Sequence, residues 1–276
     1  MSTIQYKEIN SESIASLGLG TWRIGGGTTA DYNRDSEEVE NLRYGIQLGY
    51  THIDTAEYYG AGHSEELVGK AIKPYDREDL FITTKVWHNH LEYDKLLNSM
   101  KASLKRLDLD YVDLYLVHWP NPDIPIEETM RAMEECVDKG YTRFIGVSNF
   151  SAMLMKEAEE HLNENPLFTN QVKYSLLEQS PQGELLEYCR SRDILLTGYS
   201  PLGKGELART GYNVLDRLSE KYGKTQSPVA LNWLISQDQV ITIPKSSSKE
   251  HLEENLGALG WSLSSEDQAM LSKSFE

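Results

Sequence analysis

Polar, chemically capable side chains recur in this chain at one place, the end of a short apolar run. Asp54 closes YTHID, Lys85 closes LFITTK, His118 closes YVDLYLVH, and Ser148 with Asn149 ends TRFIGVSN. Gln171 stands near the end of LFTNQV, Tyr199 and Ser200 close DILLTGYS, and Lys245 with Ser246 follows QVITIP. Singly, each has a plain structural use: Asp54 as a turn cap, Lys85 in a surface ion pair, His118 as a satisfied core histidine. Together, at the same relative place in successive units, they predict one preorganised polar mouth on an apolar scaffold, the setting in which a ligand binds.

The runs that carry these residues read as strands: 15–20, 50–54, 80–85, 111–118, 142–148, 167–172, 193–199 and 239–244. Segments of helical period lie between them. Asp35 or Ser36, Ser64 and Ser151 are the expected caps, and two helices are expected within 205–238, the second opened by Ser227-Pro228. Eight strands separated by helices, with no linker or break in composition, predict an α/β fold: a closed (β/α)8 TIM barrel forming a single domain over 1–276. Chemistry in such a barrel sits at the C-terminal ends of the strands, where these polar residues fall. IQYKEIN followed by SESIAS predicts an N-terminal β-hairpin covering the barrel floor. A dinucleotide-binding open sheet is the rival, but Gly25-Gly26-Gly27 lacks GxGxxG spacing and reads as a loop.

Bulk charge narrows the partners. Against 27 Lys and Arg stand 43 Asp and Glu, a formal charge of −16 that repels nucleic acid and anionic lipid. An anionic cofactor would need a local positive pocket. No run reaches membrane-spanning length, and MSTIQYKEIN lacks the basic start and apolar stretch of a secretory signal. Cys136 and Cys189 have no metal or disulfide spacing, and HNH (88–90) lacks evident metal-ligand partners. The expectation is a cytoplasmic protein without a metal centre, as a monomer or weak homodimer.

Three longer stretches give these residues a family context. GYTHIDTAEYYGAGHSEELVGKAI (49–72), LDLDYVDLYLVHWP (107–120) and ITIPKSSSKEHLEEN (241–255) resemble the signatures of the aldo-keto reductase family. LGLGTW, TTKVW, GVSNF, NQVKYS and GYSPLG extend the likeness over nearly the whole chain. The resemblance implies NAD(P)H-dependent reduction of aldehydes and ketones to alcohols, and the reverse, by direct hydride transfer. It also implies a catalytic tetrad of Asp54, Tyr59, Lys85 and His118, with Tyr59 as general acid and base. The family's potassium-channel β subunits suggest an alternative, a catalytically weak dinucleotide-binding regulatory subunit, which the complete tetrad disfavours.

The chemistry of such a tetrad follows from charge. Hydride addition to C=O builds negative charge on oxygen, so a proton donor placed there lowers the barrier. A phenol suits this, and a lysine ammonium beside it is expected to lower its pKa. Asp54 would hold the ammonium in place, and neutral His118 would bond the substrate oxygen.

For the cofactor, the resemblance assigns Ser148, Asn149 and Gln171 to the carboxamide and Tyr199 to stacking on the nicotinamide. It assigns the loop Ser200-Pro201-Leu202-Gly203 to the pyrophosphate, Lys245 and Ser246 to the adenosine ribose or its phosphate, and Glu254 and Asn255 to the adenine. Many members have an arginine where this chain has His251, and histidine is a weaker phosphate ligand. NADPH is favoured on the strength of Lys245, with NADH also usable. Trp22, Trp87 and Trp119 are the expected substrate-pocket walls, joined by Tyr58 and His88. Only NPDIPIEE separates Trp119 from the next helix, which predicts an open pocket for small carbonyl substrates.

Overall fold

The computed structural model describes residues 4–276, and in it the eight apolar runs form eight parallel strands. They are β3 (Leu19–Gly20), β4 (His52–Asp54), β5 (Phe81–Val86), β6 (Val112–Val117), β7 (Thr142–Ser148), β8 (Leu167–Lys173), β9 (Leu195–Tyr199) and β10 (Val240–Thr242). Each pairs with its neighbour in chain order, from β3 through to β10. Parallel bridges Leu17–Thr242 and Gly20–Lys245 join the two ends of the sheet, so the strands close into a (β/α)8 barrel. Gly20 makes the seam possible, because a Cβ there would lie 2.7 Å from the main-chain oxygen of Ile243. An open doubly wound sheet, which reverses strand order at a switch point, is excluded.

The first strand is shorter than expected. The predicted run 15–20 splits, its early part ending the hairpin and only Leu19–Gly20 remaining as regular strand. That hairpin pairs β1 (Tyr6–Ile9) with β2 (Glu12–Ala15), and Asn10 and Ser11 turn it with φ of 48° and 64°. Its Ile9 and Ile14 pack with Phe81, Leu114, Phe168, Leu195 and other lumen residues near the N-terminal ends of the strands. The hairpin therefore plugs the floor with apolar side chains, each of which contributes roughly 1.5–3 kcal/mol when fully buried.

Helices cover the outside: α1 (Asp35–Leu48), α2 (His63–Ile72), α3 (Tyr93–Leu107), α4 (Ile126–Asp138), α5 (Ala152–Glu160), α6 (Glu184–Ser191), α7 (Asn213–Tyr222), α8 (Gln226–Ile235), α9 (Lys249–Leu256) and α10 (Ser265–Ser274). The two helices expected within 205–238 are α7 and α8, although Thr225 rather than Ser227 stands at the N-cap of α8. Ser151 caps α5, its Oγ accepting from the Leu154 amide at 3.2 Å. Two other expected caps do not form. α1 begins after Arg34 with no side-chain cap, and α2 begins at His63, so Ser64 lies inside the helix and bonds Thr55 and Thr21 instead. Among the described residues, no helix is long and apolar enough to cross a membrane.

Candidate active site

Four strand ends and one turn bring the polar residues to a common mouth. Asp54 ends β4, Lys85 lies on β5 beside it, and both are almost wholly buried. The Lys85 ammonium donates to Asp54 Oδ1 at 2.5 Å and to the Thr55 carbonyl at 2.8 Å. Its third direction points at the Tyr59 hydroxyl oxygen, 3.4 Å away. Because that oxygen accepts from Lys85, the phenol's own proton is left to point elsewhere. The other Asp54 oxygen accepts from Gln171 Nε2 at 2.7 Å.

Charge at the centre differs from the sequence-based expectation. The ammonium was expected to acidify Tyr59, but burial, with the Asp54 carboxylate adding to it, pushes the phenol well above its ordinary value. Asp54 offsets the charge that Lys85 would otherwise present, and the phenol is held protonated. Burial also lowers the Lys85 ammonium against the opposing pull of Asp54. His118 is pushed down to about 2, first by burial and then by the charges of Lys85 and His88, so its imidazole is neutral at ordinary pH. Its ring lies 5.6 Å from the Tyr59 ring, nearly perpendicular to it, and its Nδ1 is buried with no hydrogen-bond partner among the described residues.

An aromatic wall stands over this group. Tyr58 stacks on Trp87 with ring centroids 3.7 Å apart, Trp22 lies parallel to Tyr58 at 6.4 Å, and Trp22 meets Tyr59 edge-on at 5.0 Å. Trp87 also touches His118 and His88. Trp119 is 43% exposed and joins none of these ring pairs. The mouth is therefore apolar on one side and hydrogen-bonding at its base, which fits a small carbonyl compound.

The residues assigned to the dinucleotide fall in two groups. Ser148, Asn149, Gln171 and Tyr199 meet at the ends of β7, β8 and β9. Asn149 Nδ2 donates to the His118 carbonyl and to Ser148 Oγ, and the Tyr199 hydroxyl donates to Asn149 Oδ1 at 3.0 Å. Ser148 spends its proton on the Gln171 carbonyl, so it orients this group and has no donor left for a carboxamide. Gln171 uses only Nε2, which leaves its Oε1 to accept from an amide. Ser200 and Gly203 both adopt left-handed backbone, with φ of 52° and 56°, and fold the loop around Leu202.

Lys245 and Ser246 follow β10, and His251, Glu254 and Asn255 lie on α9. The Lys245 ammonium is lowered by partial desolvation, with Arg34 and Arg23 adding to this against Glu38. Cations thus collect here in a chain that is acidic overall. Ser246 Oγ and the Ser248 main chain bond each other, Ser248 caps α9 at the His251 amide, Glu254 accepts from Thr225, and Asn255 is buried.

A family model described as the Aldo/keto reductase family matches residues 16–276. The chain belongs to the aldo/keto reductase family. It is 36% identical over 266 residues to Methylglyoxal reductase YeaE of Escherichia coli, covering 95% of this chain and 92% of that protein. It is 38% identical over 253 residues to a Glyoxal reductase of Bacillus subtilis, covering 91% and 85%. Among solved structures, the thermostable aldo-keto reductase Tm1743 in complex with the inhibitor epalrestat superposes with a TM-score of 0.95 at 49% identity, covering 98% of this chain and all of that one. An aldo/keto reductase from Klebsiella pneumoniae in complex with NADP and acetate gives 0.90 at 33% identity, covering 99% and 96%.

Some residues of this aldo/keto reductase site were not legible in the sequence. Glu57 Oε1 accepts from the Trp87 amide at 2.6 Å and from His90 Nδ1 at 3.0 Å, which ties the aromatic wall to the turn before Tyr59. Adjacency to Tyr58 was the only available signal for it. Among the described residues, no group of three His, Cys, Asp or Glu side chains is arranged to hold a metal. A groove of about 570 Å3 between α2 and α3, lined by Lys70, Lys73, Lys105 and Arg106 among others, shares no residue with the tetrad. Chemistry rather than cavity volume marks the site.

Proposed function

We propose that this chain is an NADPH-favouring carbonyl reductase acting on small aldehydes and ketones, with short dicarbonyls of the methylglyoxal and glyoxal type as first candidates. The contact of Lys85 with the Tyr59 oxygen, made while Asp54 and Thr55 hold the ammonium, carries this reading. A bound reduced nicotinamide dinucleotide supplies the hydride. Tyr59, kept protonated by its surroundings, hands its proton to the carbonyl oxygen as charge develops there. Lys85 then lies where it stabilises the phenolate left behind, so the offset charge of the resting pair becomes useful once the proton has gone. Neutral His118 bonds the same oxygen and fixes the carbonyl's orientation.

Gln171 Oε1 and Asn149 Oδ1 are the acceptors available to a carboxamide, the second once Tyr199 releases it to lie against the ring. The main-chain amides of Ser200 and Leu202 suit a pyrophosphate, with the Gly203 amide closing the turn on the Ser200 carbonyl at 3.0 Å, and Lys245 suits an adenosine phosphate. Cys136 and Cys189 are buried free thiols, in keeping with a reducing cytoplasm. One chain carries every site residue as a single catalytic domain, so a monomer suffices. The test is turnover of methylglyoxal and simple aldehydes followed at the nicotinamide absorbance, with kcat/KM compared for NADPH and NADH. Absence of carbonyl-dependent oxidation would overturn the activity, and a strong preference for NADH would remove Lys245 as phosphate anchor.

A further inference from the structure

Immediately after Tyr59 the backbone does something unusual. Gly60, Ala61 and Gly62 all lie in the left-handed region, with φ of 57°, 52° and 94°, before α2 begins at His63. The turn is held from outside by the loop after β3, which also carries Trp22. The Gly60 amide donates to the Gly27 carbonyl at 2.7 Å, and a Cβ on Gly60 would lie 2.3 Å from the Gly25 carbonyl oxygen. Two chain segments therefore meet with no space between them, directly beside the phenol.

His63 fastens that meeting. Its side chain is only 2% exposed, its Nε2 lies 2.8 Å from Asp35 Oδ1 at the start of α1, and its Nδ1 lies 2.8 Å from Glu66 Oε2 on α2. The loop covers its ring: Tyr32 lies 4.2 Å away between centroids, and a Cβ on Gly25 would touch the ring at 3.0 Å. A neutral imidazole has one N–H and an imidazolium has two. Two carboxylates, one at each nitrogen, therefore fit the charged form alone. The other charged groups around it are Glu38 of α1, which accepts from the Gly25 amide at 2.7 Å, Lys70, 3.7 Å from Asp35, and Arg106 of α3, which packs on Gly62 and is bound to Glu65.

We propose that His63, as an imidazolium between Asp35 and Glu66, is a positioning residue for Tyr59 that clamps the Trp22 loop onto the Gly60–Gly62 turn. Burial works against the charge, but the bonds to Asp35 and Glu66 outweigh it and the ring's pKa is raised. The clasp is thus complete below the ordinary histidine range and is lost as pH rises through the raised value in the folded protein. Losing it frees the turn and the edge-on contact of Trp22 with Tyr59; the residues at the ends of β7, β8 and β9 lie outside this loop, whereas Arg23 and Arg34 near Lys245 belong to it. The inference rests on Tyr59 being the proton donor.

The decisive experiment is the pH profile of kcat for aldehyde reduction by the intact enzyme with saturating NADPH, from about pH 6 to about pH 9. The wild type shows an alkaline fall whose midpoint matches the titration of the His63 ring by NMR. His63→Gln has kcat lowered roughly tenfold or more and flat across the range, with any change in dinucleotide Kd smaller than that in kcat. Glu66→Gln, at a half-exposed position, moves the wild-type midpoint down by about one unit and carries the test if His63→Gln fails to fold. An alkaline fall that persists in His63→Gln, or a midpoint unmoved in Glu66→Gln, overturns the proposal. Tyr59→Phe separates the two readings. If it retains full turnover, the proton-donor assignment fails; if it is inactive while the histidine variants keep the wild-type profile, only the clasp fails.

Discussion

Two buried aspartates, one at each end of the barrel, solve the same electrostatic problem to different ends. Asp113, on β6 near the floor, accepts from Arg77 at 2.6 Å, from Arg143 at 2.9 Å and from the Ile82 amide at 2.7 Å. Asp54, at the mouth, accepts from Lys85 and Gln171. At the floor the cations are guanidiniums, permanently charged forks that suit a fixed carboxylate. At the mouth the cation is a lysine, whose charge burial can weaken and whose third donor direction is aimed at a phenol. The floor's pairing links strands and hairpin and leaves Arg77 Nε as its one unpartnered buried atom among the described residues. The mouth's leaves a donor on Tyr59 and an orphaned nitrogen on His118. In (β/α)8 barrels the lower face serves stability and the upper face chemistry, and here that division is written in the choice of cation.

The comparison is broken most severely at Asp113. Asp113→Ala leaves the mostly buried Arg77 guanidinium and the Ile82 amide without their carboxylate, while the more exposed Arg143 keeps Glu12, and is expected to cost about 3 kcal/mol of stability, measured by urea unfolding. The kcat of the folded fraction should not change. A loss of catalysis larger than the loss of folded protein would show that the floor reaches the site. Tyr59→Phe should do the reverse. Turnover falls by at least about a hundredfold, while dinucleotide binding and unfolding midpoint stay close to wild type. If stability collapsed as well, the phenol would be a structural member of the mouth.

Acid pH gives an intermediate effect. Burial pushes His118 down to about 2 and His52, inside the barrel, to about 4. Both folded values lie below that of the unfolded chain. The unfolded state therefore takes up protons first, and the stability present above the ordinary histidine range begins to be lost as pH falls through it and goes on being lost down to the folded values. Thermal midpoints should decline from about pH 6.5 down to about pH 4, and more gently in His52→Asn. An identical slope in the variant would remove His52 as a source of the decline.

Much of this was legible because the rules involved are local. Strands from β5 to β9 announce themselves as β-branched runs, and the polar residue at each run's end falls at the mouth because parallel strands share one direction. β3 was overread, since Ser16 and Gly18 bond Thr242 across the seam without forming regular strand. The start of α2 was misplaced because three consecutive left-handed residues answer to a loop arriving from elsewhere, not to their own propensities. At Ala61 such a conformation costs about 1–2 kcal/mol, and nothing adjacent in the chain offsets it. The Tyr59 proton equilibrium was misjudged for a related reason. Pairing Lys85 with the phenol was visible, but the depth of burial and the counter-charge of Asp54 depend on packing. His63 was hidden because its partners lie 28 residues upstream and one helical turn downstream, and meet only in the folded chain.

The smallest change sharpens the contrast at the floor itself. Arg143 reaches past Asp113 to Glu12 of the hairpin, but its side chain is 42% exposed and that of Glu12 is 22% exposed. Pairs so open to water are worth about 1 kcal/mol or less. Glu12→Gln should therefore lower the unfolding midpoint by no more than about 2–3 °C, with the difference shrinking in high salt and kcat unaffected. The hairpin would then be held by Ile9 and Ile14 in the lumen, and the arginine's main partner would be the buried Asp113. A drop as large as that of Asp113→Ala would mean instead that the three charges act as one unit, and that the floor is fastened from the hairpin rather than from the strands.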